Sequence, residues 1–252
     1  MVHFVGAGPG AEDLITLRGM KLIEKADVII YAGSLVNPGL LKYAKKEAEI
    51  HNSAYMTLEE VIDVIKKAEE KGLDTVRLHT GDPSIYGAIR EQMDILKEKD
   101  IDFEICPGVS SFCGAAASLK IEYTLPEVSQ SVIITREEGR TPVPEKEKLS
   151  LLASHQATMV LFLSSGMAEK VRKSLITGGY DKNTPVAVVY KATWDDEKII
   201  NTTVDDMSVD MEKEGINKTA LIIVGNVLGN TYERSKLYDP YFTTEFRKGK
   251  EK

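Results

Sequence analysis

Gly6-Ala7-Gly8-Pro9-Gly10 follows directly after the β-branched, apolar run Val2–Val5 at the start of the chain. A short apolar run that ends in glycines and leads into apolar residues at helical spacing is typical of a strand, a tight loop and a helix. The apolar set that continues through residues 12–26 predicts the helix. This opening therefore predicts the first strand–loop–helix unit of a parallel sheet that is covered by helices.

The same alternation recurs through the first half of the chain. Further strands are predicted at Val28–Tyr31, Thr75–His79 and Phe103–Cys106. Helices are predicted over residues 58–71 and through Ile85, Ile89, Met93 and Leu96. Residues 1–120 are accordingly predicted to form an N-terminal α/β domain with a mainly parallel sheet.

The second half predicts a different sheet. Residues 121–130 are polar, contain Pro126 and are interpreted as a linker. The strands predicted beyond it are Ser131–Thr135, Thr158–Leu163, Val186–Thr193, Lys198–Val204 and Ala220–Gly225. The third and fourth flank the polar turn 194–197 and predict an antiparallel hairpin. Residues 131–228 thus form a predicted C-terminal α/β domain with a mixed sheet, and residues 229–252 a C-terminal arm of low order.

Composition excludes several classes of protein. The 252 residues include 32 Lys and Arg against 39 Asp and Glu, a net charge of −7 that argues against a broad nucleic-acid-binding surface. Two cysteines and four scattered histidines match no metal-binding spacing, so no bound metal is expected. The apolar runs are too short for a membrane span. The first glycine loop starts at Gly6, too early for a secretory signal, so a cytoplasmic protein is expected.

Each predicted strand of the first domain ends in a loop of small residues: 6–10, 32–34, 80–84 and 107–111. A single loop of this kind is explained by turn chemistry alone. Four of them at the carboxyl edge of one parallel sheet favour a binding crevice. None contains Lys or Arg, which disfavours a phosphate-bearing ligand and suits a neutral or cationic one such as S-adenosylmethionine.

Two nucleotide-binding motifs fit poorly. Gly6-x-Gly8-x-x-Ala11 matches the dinucleotide fingerprint loosely, but the second strand ends in Tyr31-Ala32-Gly33 without an acid for a ribose. No Gly-Lys-Ser/Thr follows any glycine, which excludes a P-loop.

Taken together, the glycine loops resemble those of the tetrapyrrole methylase family. Five blocks of sequence occur in the family's order. They are the opening 5–10 with Asp13-Leu14-Ile15-Thr16, then Gly81-Asp82-Pro83, 107–111, Thr184-Pro185-Val186 and 220–225. The stretch 135–145, with 161–165 and 190–194, is similar to the branch that methylates carbon 11 of precorrin-4 or cobalt-precorrin-4 in cobalamin biosynthesis. The resemblance implies two α/β domains with the active-site cleft between them, S-adenosylmethionine as cofactor, a tetrapyrrole substrate and a homodimer.

The resemblance also implies a set of site residues. The residues expected at the cofactor are Pro9, Gly81, Asp82, Ile85, Tyr86, Ser110, Ser111, Leu163, Ala192 and Ala220. No general base is assigned. Trp194, the single tryptophan, is interpreted as a buried or dimer-facing aromatic.

Charge suggests where the substrate binds. Precorrins carry acetate and propionate groups, and arginine recognises carboxylates with paired hydrogen bonds. Arg136 and Arg140 lie in one loop after a predicted strand, and they are the expected substrate ligands together with His79. On charge pattern alone, a solvated loop with weak internal ion pairs is the better explanation of the two arginines, and the resemblance to the precorrin-4 branch reverses that preference.

Other functions remain open from the sequence. The family includes other corrin-precursor and uroporphyrinogen methylases, and the same fold carries an RNA ribose methylase and a diphthine synthase branch. A nucleotide-binding dehydrogenase-like protein is a further alternative. The acidic net charge disfavours RNA, and the missing ribose acid disfavours the dehydrogenase.

Overall fold

Two five-stranded β-sheets organise the chain in the computed structural model, which describes residues 1–33 and 35–251. Ser34 of the second predicted loop and Lys252 of the predicted C-terminal arm lie outside the described residues. By its internal contacts the chain divides into two units. The first comprises Met1–Ala115 with Lys191–Glu197, and the second comprises Ala116–Tyr190 with Lys198–Lys252.

This division differs from the predicted linker at 121–130. It falls between Ala115 and Ala116, and the turn 191–197 belongs by its contacts to the first unit. Within the predicted linker, Tyr123 is buried and Leu125 forms an isolated bridge with Ser129.

The first unit contains a wholly parallel sheet. Its strands are β1 (Val2–Gly6), β2 (Val28–Tyr31), β3 (Glu49–Asn52), β4 (Thr75–His79) and β5 (Phe103–Cys106). Their order is β3-β2-β4-β1-β5, and every neighbouring pair is parallel. Strand β3 was not predicted, because four residues with polar ends carry no clear periodicity. Strands β4, β1 and β5 are adjacent, which brings their carboxyl-end loops together.

The helices of this part of the chain are α1 (Leu17–Lys25), α2 (Leu58–Glu69), α3 (Arg90–Glu98) and α4 (Ser111–Leu119). Helix α1 begins later than predicted because the Thr16 hydroxyl caps it by accepting from the Gly19 amide. A capping box between Thr57 and Glu60 starts α2. Alternate strand residues enter two cores: Phe4 and Ile30 pack with α2 and α3, whereas Ile29 and Leu78 enter the opposite core.

The second unit contains a mixed sheet. Its strands are β6 (Val132–Arg136), β7 (Thr158–Phe162), β8 (Pro185–Tyr190), β9 (Lys198–Thr203) and β10 (Ala220–Val224), in the order β6-β7-β10-β8-β9. Strands β6 and β7 are parallel and the other neighbours antiparallel. The predicted β8–β9 hairpin is confirmed, although its connection spans 191–197 rather than a tight four-residue turn. The predicted fold class, with a parallel first sheet and a mixed second sheet, is confirmed.

Three further helices cover this sheet: α5 (Leu149–Leu152), α6 (Ala168–Thr177) and α7 (Met207–Lys213). Their buried residues pack with Met159, Leu161 and Ile222 in one core. In the predicted arm, the described residues from 230 onward contain one 3-10 turn, Lys236–Tyr238. Among the described residues, we find no helix whose length and hydropathy would suit a bilayer span.

Candidate active site

Three glycines set the geometry of the loops that follow β1, β4 and β5. A Cβ atom on Gly6 would lie 2.5 Å from the Gly108 Cα, and one on Gly108 would lie 2.2 Å from the Gly81 carbonyl oxygen. Real Cβ atoms do not approach backbone so closely, so these positions require glycine. The loops therefore pack directly against one another through bare backbone at these positions.

A backbone bridge ties two of these loops together. The Gly81 amide donates to the Gly8 carbonyl at 2.8 Å, and the Gly8 amide donates back to the Gly81 carbonyl at 3.3 Å. Gly81 has a φ of +60°, in the left-handed region that favours glycine. The predicted cofactor residue Gly81 thus fixes the loop after β4 to the loop that contains Pro9.

Asp82, also expected at the cofactor, connects the loops after β4 and β5. Its Oδ2 accepts from the Gly108 amide at 2.8 Å, and its Oδ1 accepts from the Ser84 amide at 2.8 Å. Burial acts to raise the pKa of Asp82, but the hydrogen bonds from Ser84 and Gly108 outweigh it and hold the pKa below its usual value. The carboxylate therefore stays ionised at neutral pH and acts as a positioning group for both loops.

Ile85 and Tyr86 lie in a loop, which corrects the prediction that the helix reaches back to Ile85. Helix α3 starts only at Arg90 because Tyr86 and Ala88 both adopt positive φ angles, of 55° and 50°. Such angles are costly for residues with side chains and are concentrated at binding sites. Tyr86 is 46% exposed in this strained loop. Ser110 and Ser111 place their backbone 3.4–3.5 Å from where a Cβ on Gly81 would lie.

The turn 191–197 holds the first loop in place. The Trp194 Nε1 donates to the Pro9 carbonyl at 3.1 Å, and the Ala11 amide donates to the Thr193 Oγ1 at 3.0 Å. A Cβ on Gly10 would meet the Trp194 ring. Trp194 is thus half-buried against Gly10, and the predicted cofactor residue Ala192 is buried beside it in the same turn. Sequence reasoning missed Thr193 and Trp194 as partners of this loop, because they are more than 180 residues away from it.

His79 is buried at the end of β4 and stacks on Phe4, with ring centroids 6.1 Å apart. Its Nε2 has no hydrogen-bond partner among the described residues. Burial, and then the charge of Arg77, lower the pKa of His79 to about 3, so the ring is neutral at physiological pH. Arg77 is also buried and donates to the Gln92 side chain and the Ile30 carbonyl.

In the second unit, the structure brings three predicted site residues to one cavity. Leu163, Arg136 and Arg140 line a space of about 490 Å³. The remaining lining residues are Glu137, Gly139, Thr141, Ser165, Gly166, Met167, Asn217, Lys218 and Thr219. The predicted residue Ala220 directly follows Thr219 and is buried as the first residue of β10. Leu163 is 64% exposed and has a φ of +51°, an unusual combination for a large apolar side chain.

The two predicted substrate arginines differ in their contacts. The Arg136 guanidinium donates to the carbonyls of Thr141 at 3.2 Å and Pro142 at 2.7 Å. Arg140 is exposed and makes no hydrogen bond or ion pair within residues 1–33 and 35–251. Arg136 therefore orders the loop from which Arg140 projects. Across those same residues, we find no group of three His, Cys, Asp or Glu side chains that could hold a metal ion.

The sequence and the fold of this chain both match those of known proteins. The family model for tetrapyrrole (corrin/porphyrin) methylases matches residues 1–208. A cobalt-precorrin-4 C(11)-methyltransferase of Methanocaldococcus jannaschii is 64% identical over 252 residues, covering 100% of this chain and 97% of the relative. One from Priestia megaterium is 50% identical and covers 98% of both chains. The solved structure of a cobalt precorrin-4 methyltransferase, a cobalamin biosynthetic enzyme, has a TM-score of 0.89 and 50% identity over 91% of this chain and 96% of that one.

The glycine contacts predict a specific loss of ligand binding. Gly108→Ala places a methyl group 2.2 Å from the Gly81 carbonyl, so the loops must separate, at a cost of about 1–3 kcal/mol. We expect S-adenosylhomocysteine affinity, measured by calorimetry, to fall by about tenfold or more. Gly72→Ala is the control, because Gly72 has a φ of +68° and open space around it. It should cost roughly 1–2 kcal/mol and leave affinity unchanged. Equal affinities in both variants would contradict the role of the loop contact.

Burial of His79 predicts an acid-sensitive contribution to stability. The folded-state pKa is about 3 against an ordinary 6.5, so below about pH 6.5 the unfolded chain takes up a proton that the folded chain refuses. Stability from this group is complete above pH 6.5 and is lost as the pH falls. Between pH 7 and pH 5, the free energy of unfolding, measured with urea, should fall by roughly 2 kcal/mol less in His79→Gln than in the parent protein. Identical losses would show that His79 is protonated in the folded state.

Proposed function

This chain belongs to the tetrapyrrole methylase family, and we propose that it transfers a methyl group from S-adenosylmethionine to carbon 11 of cobalt-precorrin-4 in cobalamin biosynthesis. The observation that carries the proposal is the 64% identity over the whole chain to a relative with that activity in its name. The 50% identical relative and the 50% identical solved structure also carry the cobalt form of the substrate in their names. Cobalt enters with the substrate in this proposal and is not held by the protein.

The loops of the first unit fit the proposed cofactor. At Gly6 and Gly108 the loops pack backbone against backbone, since a Cβ on either residue would clash with a neighbouring loop, and Gly81 adopts a left-handed φ. The three loops 6–10, 80–84 and 107–111 contain no Lys or Arg, in keeping with a cofactor that carries no phosphate. S-adenosylmethionine supplies a methyl group activated by its sulfonium, which an electron-rich ring carbon attacks as the carbon–sulfur bond breaks and neutral S-adenosylhomocysteine leaves.

The proposed role of the protein is to position the reactants. Asp82 and the Trp194 turn hold the loops rigid before any ligand arrives, and rigid placement of two reactants is worth several kcal/mol of the barrier. Because the donor is already activated, the chain needs no nucleophile of its own, and we assign none. The proposed cofactor contacts are Pro9, Gly81, Asp82, Ile85, Tyr86, Ser110, Ser111 and Ala192 in the first unit, and Leu163 and Ala220 in the second.

Arg140, supported by Arg136, is the proposed contact for the carboxylates of the substrate. Its guanidinium is exposed and has no acidic partner among the described residues, so it is available to an anionic ligand. The buried, neutral His79 lies within the first unit. Its proposed substrate role depends on its Nε2 atom, which has no hydrogen-bond partner among the described residues.

We also propose that the enzyme works in the cytoplasm as a homodimer. Both cysteines are free thiols, which suits a reducing compartment. The homodimer rests on the family resemblance alone.

Transfer of a labelled methyl group tests the reaction. Incubation with cobalt-precorrin-4 and S-adenosylmethionine bearing a ¹³C methyl should give a product heavier by one labelled methyl, which NMR should locate at carbon 11. Metal-free precorrin-4 is the matched substrate and should have the lower kcat/KM. Label at another ring carbon would move the chain to a different corrin-precursor methylase, and no transfer to either substrate would refute the proposal.

An RNA-modifying alternative makes an opposite prediction. An RNA methylase should bind RNA with an affinity that falls steeply with salt, because counterions are released from the phosphates. With a net charge of −7 we expect no retardation of a structured RNA in a gel at moderate salt. A tight, salt-sensitive complex would favour the RNA branch of the fold.

A further inference from the structure

The cavity of the second unit has an unusual balance of charge. We call the space lined by Arg136, Arg140, Leu163, Lys218 and the other residues given above the cationic cavity. Its lining includes three cations, Arg136, Arg140 and Lys218, and one carboxylate, Glu137. In a chain of net charge −7, a concentration of positive charge in one concave place points to an anionic ligand.

Glu137 does not neutralise these cations. It is 4% exposed, and its Oε1 lies 3.3 Å from the Nζ of Lys170, a residue outside the lining. The Ser174 hydroxyl donates to Oε2 at 2.7 Å, and the Glu138 amide donates to Oε1 at 2.9 Å. Both oxygens are thus engaged on the inner side of the loop, and the charge of Glu137 is balanced by Lys170.

Arg136 is engaged with backbone. Its guanidinium donates to the carbonyls of Glu137, Thr141 and Pro142, which closes the loop 137–142 around it. A carbonyl accepts a hydrogen bond without cancelling the charge of the donor. Arg136 therefore raises the positive potential of the cavity, while its hydrogen bonds to the loop fix the orientation of its guanidinium. Its role is to position Arg140.

Arg140 and Lys218 are the two cations that remain available. Both are exposed, and neither forms an ion pair or hydrogen bond with any residue in 1–33 or 35–251. They project from different loops, one after β6 and the other before β10. The second loop is closely packed, since a Cβ on Gly166 would lie 3.0 Å from the Asn217 carbonyl, and Thr219 has a strained φ of +54°. Lys218 is therefore presented from a constrained backbone.

Leu163 adds an exposed apolar side chain to the lining of the cationic cavity. Its side chain is 64% exposed, and its backbone is in the left-handed region, which is costly for a residue with a side chain. A ligand with a broad apolar face and carboxylates around its rim would cover Leu163 and reach both cations. A tetrapyrrole with acetate and propionate arms has that chemistry.

We propose that Arg140 and Lys218 together bind two carboxylates on the rim of the tetrapyrrole, with Arg136 as the positioning residue of the pair. This inference rests on the proposed function and deepens it, because it names Lys218, which sequence reasoning did not select, and divides the roles of the two arginines. Arginine gives a paired, directional contact and lysine a point charge, so the pair would set the orientation of the ring as well as its affinity.

The test measures binding of a carboxylated probe and its uncharged counterpart. Uroporphyrin and its methyl ester share a macrocycle and differ in charge, and binding of both is followed by porphyrin fluorescence. Arg140→Ala and Lys218→Ala should each weaken uroporphyrin binding by about 10–100-fold, as expected for a charged hydrogen bond. Lys218→Arg should retain most of the affinity. S-adenosylhomocysteine affinity should change far less than uroporphyrin affinity in every variant, because neither Arg140 nor Lys218 is among the proposed cofactor contacts.

Lys71→Ala is the matched control. Lys71 is exposed, forms no ion pair with any described residue, and follows α2 at the edge of the sheet opposite the ligand loops. The Lys71→Ala variant loses the same positive charge as Lys218→Ala and should bind uroporphyrin as tightly as the parent protein does. Added salt should weaken binding of uroporphyrin to the parent protein more than binding to the Arg140→Ala/Lys218→Ala double variant, since the contacts that the double variant lacks are the ones that salt screens.

The outcomes separate this inference from the proposed function. If uroporphyrin affinity and the KM for cobalt-precorrin-4 are unchanged in Arg140→Ala and Lys218→Ala, carboxylate binding by these two residues is refuted. The proposed methyl transfer is retained as long as the parent protein catalyses it. Equal binding of the methyl ester and uroporphyrin to the parent would overturn carboxylate recognition. A parent protein that transfers no methyl group but binds uroporphyrin through these two residues would refute the proposed function and leave the carboxylate site in place.

Discussion

Close contact between the backbones at Gly6, Gly81 and Gly108 is the constraint on which the first unit depends. The three strands that end in these loops are adjacent and parallel, so their carboxyl ends converge, and side chains there would force them apart. With glycine at each position, the loops can share hydrogen bonds, such as the Gly8–Gly81 bridge.

Polar groups then keep the converged loops rigid. Asp82 accepts hydrogen bonds from two loops, and the Trp194 turn closes over Pro9 and Gly10. The energetic reason is that a loop ordered in advance does not lose its conformational entropy when a ligand binds. Both carboxylate oxygens of Asp82 accept hydrogen bonds from the protein's own amides in this structure.

In the second unit, the pairing of charged side chains decides which cations remain available to a ligand. Glu137, which is buried, requires a counter-ion and finds it in Lys170, whereas Arg136 finds carbonyl partners within its own loop. These internal pairings leave Arg140 and Lys218 without acidic partners among the described residues. A solvated loop of mutually paired charges, the simpler interpretation of this sequence, would have paired Arg140 with a neighbouring glutamate.

The sequence by itself determined four of the five strands of the first sheet, the hairpin β8–β9 and the glycine loops, because β-branched runs and turn residues act over a few neighbouring positions. It also indicated Leu163, Arg136 and Arg140 through a local motif. Only the tertiary structure decided that Trp194 and Thr193 close on Pro9 and Ala11, that Lys218 joins Arg140 in one cavity, and that Ile85 lies outside the helix. Those outcomes depend on contacts between distant positions and on backbone angles, and neither leaves a periodic signal in the chain.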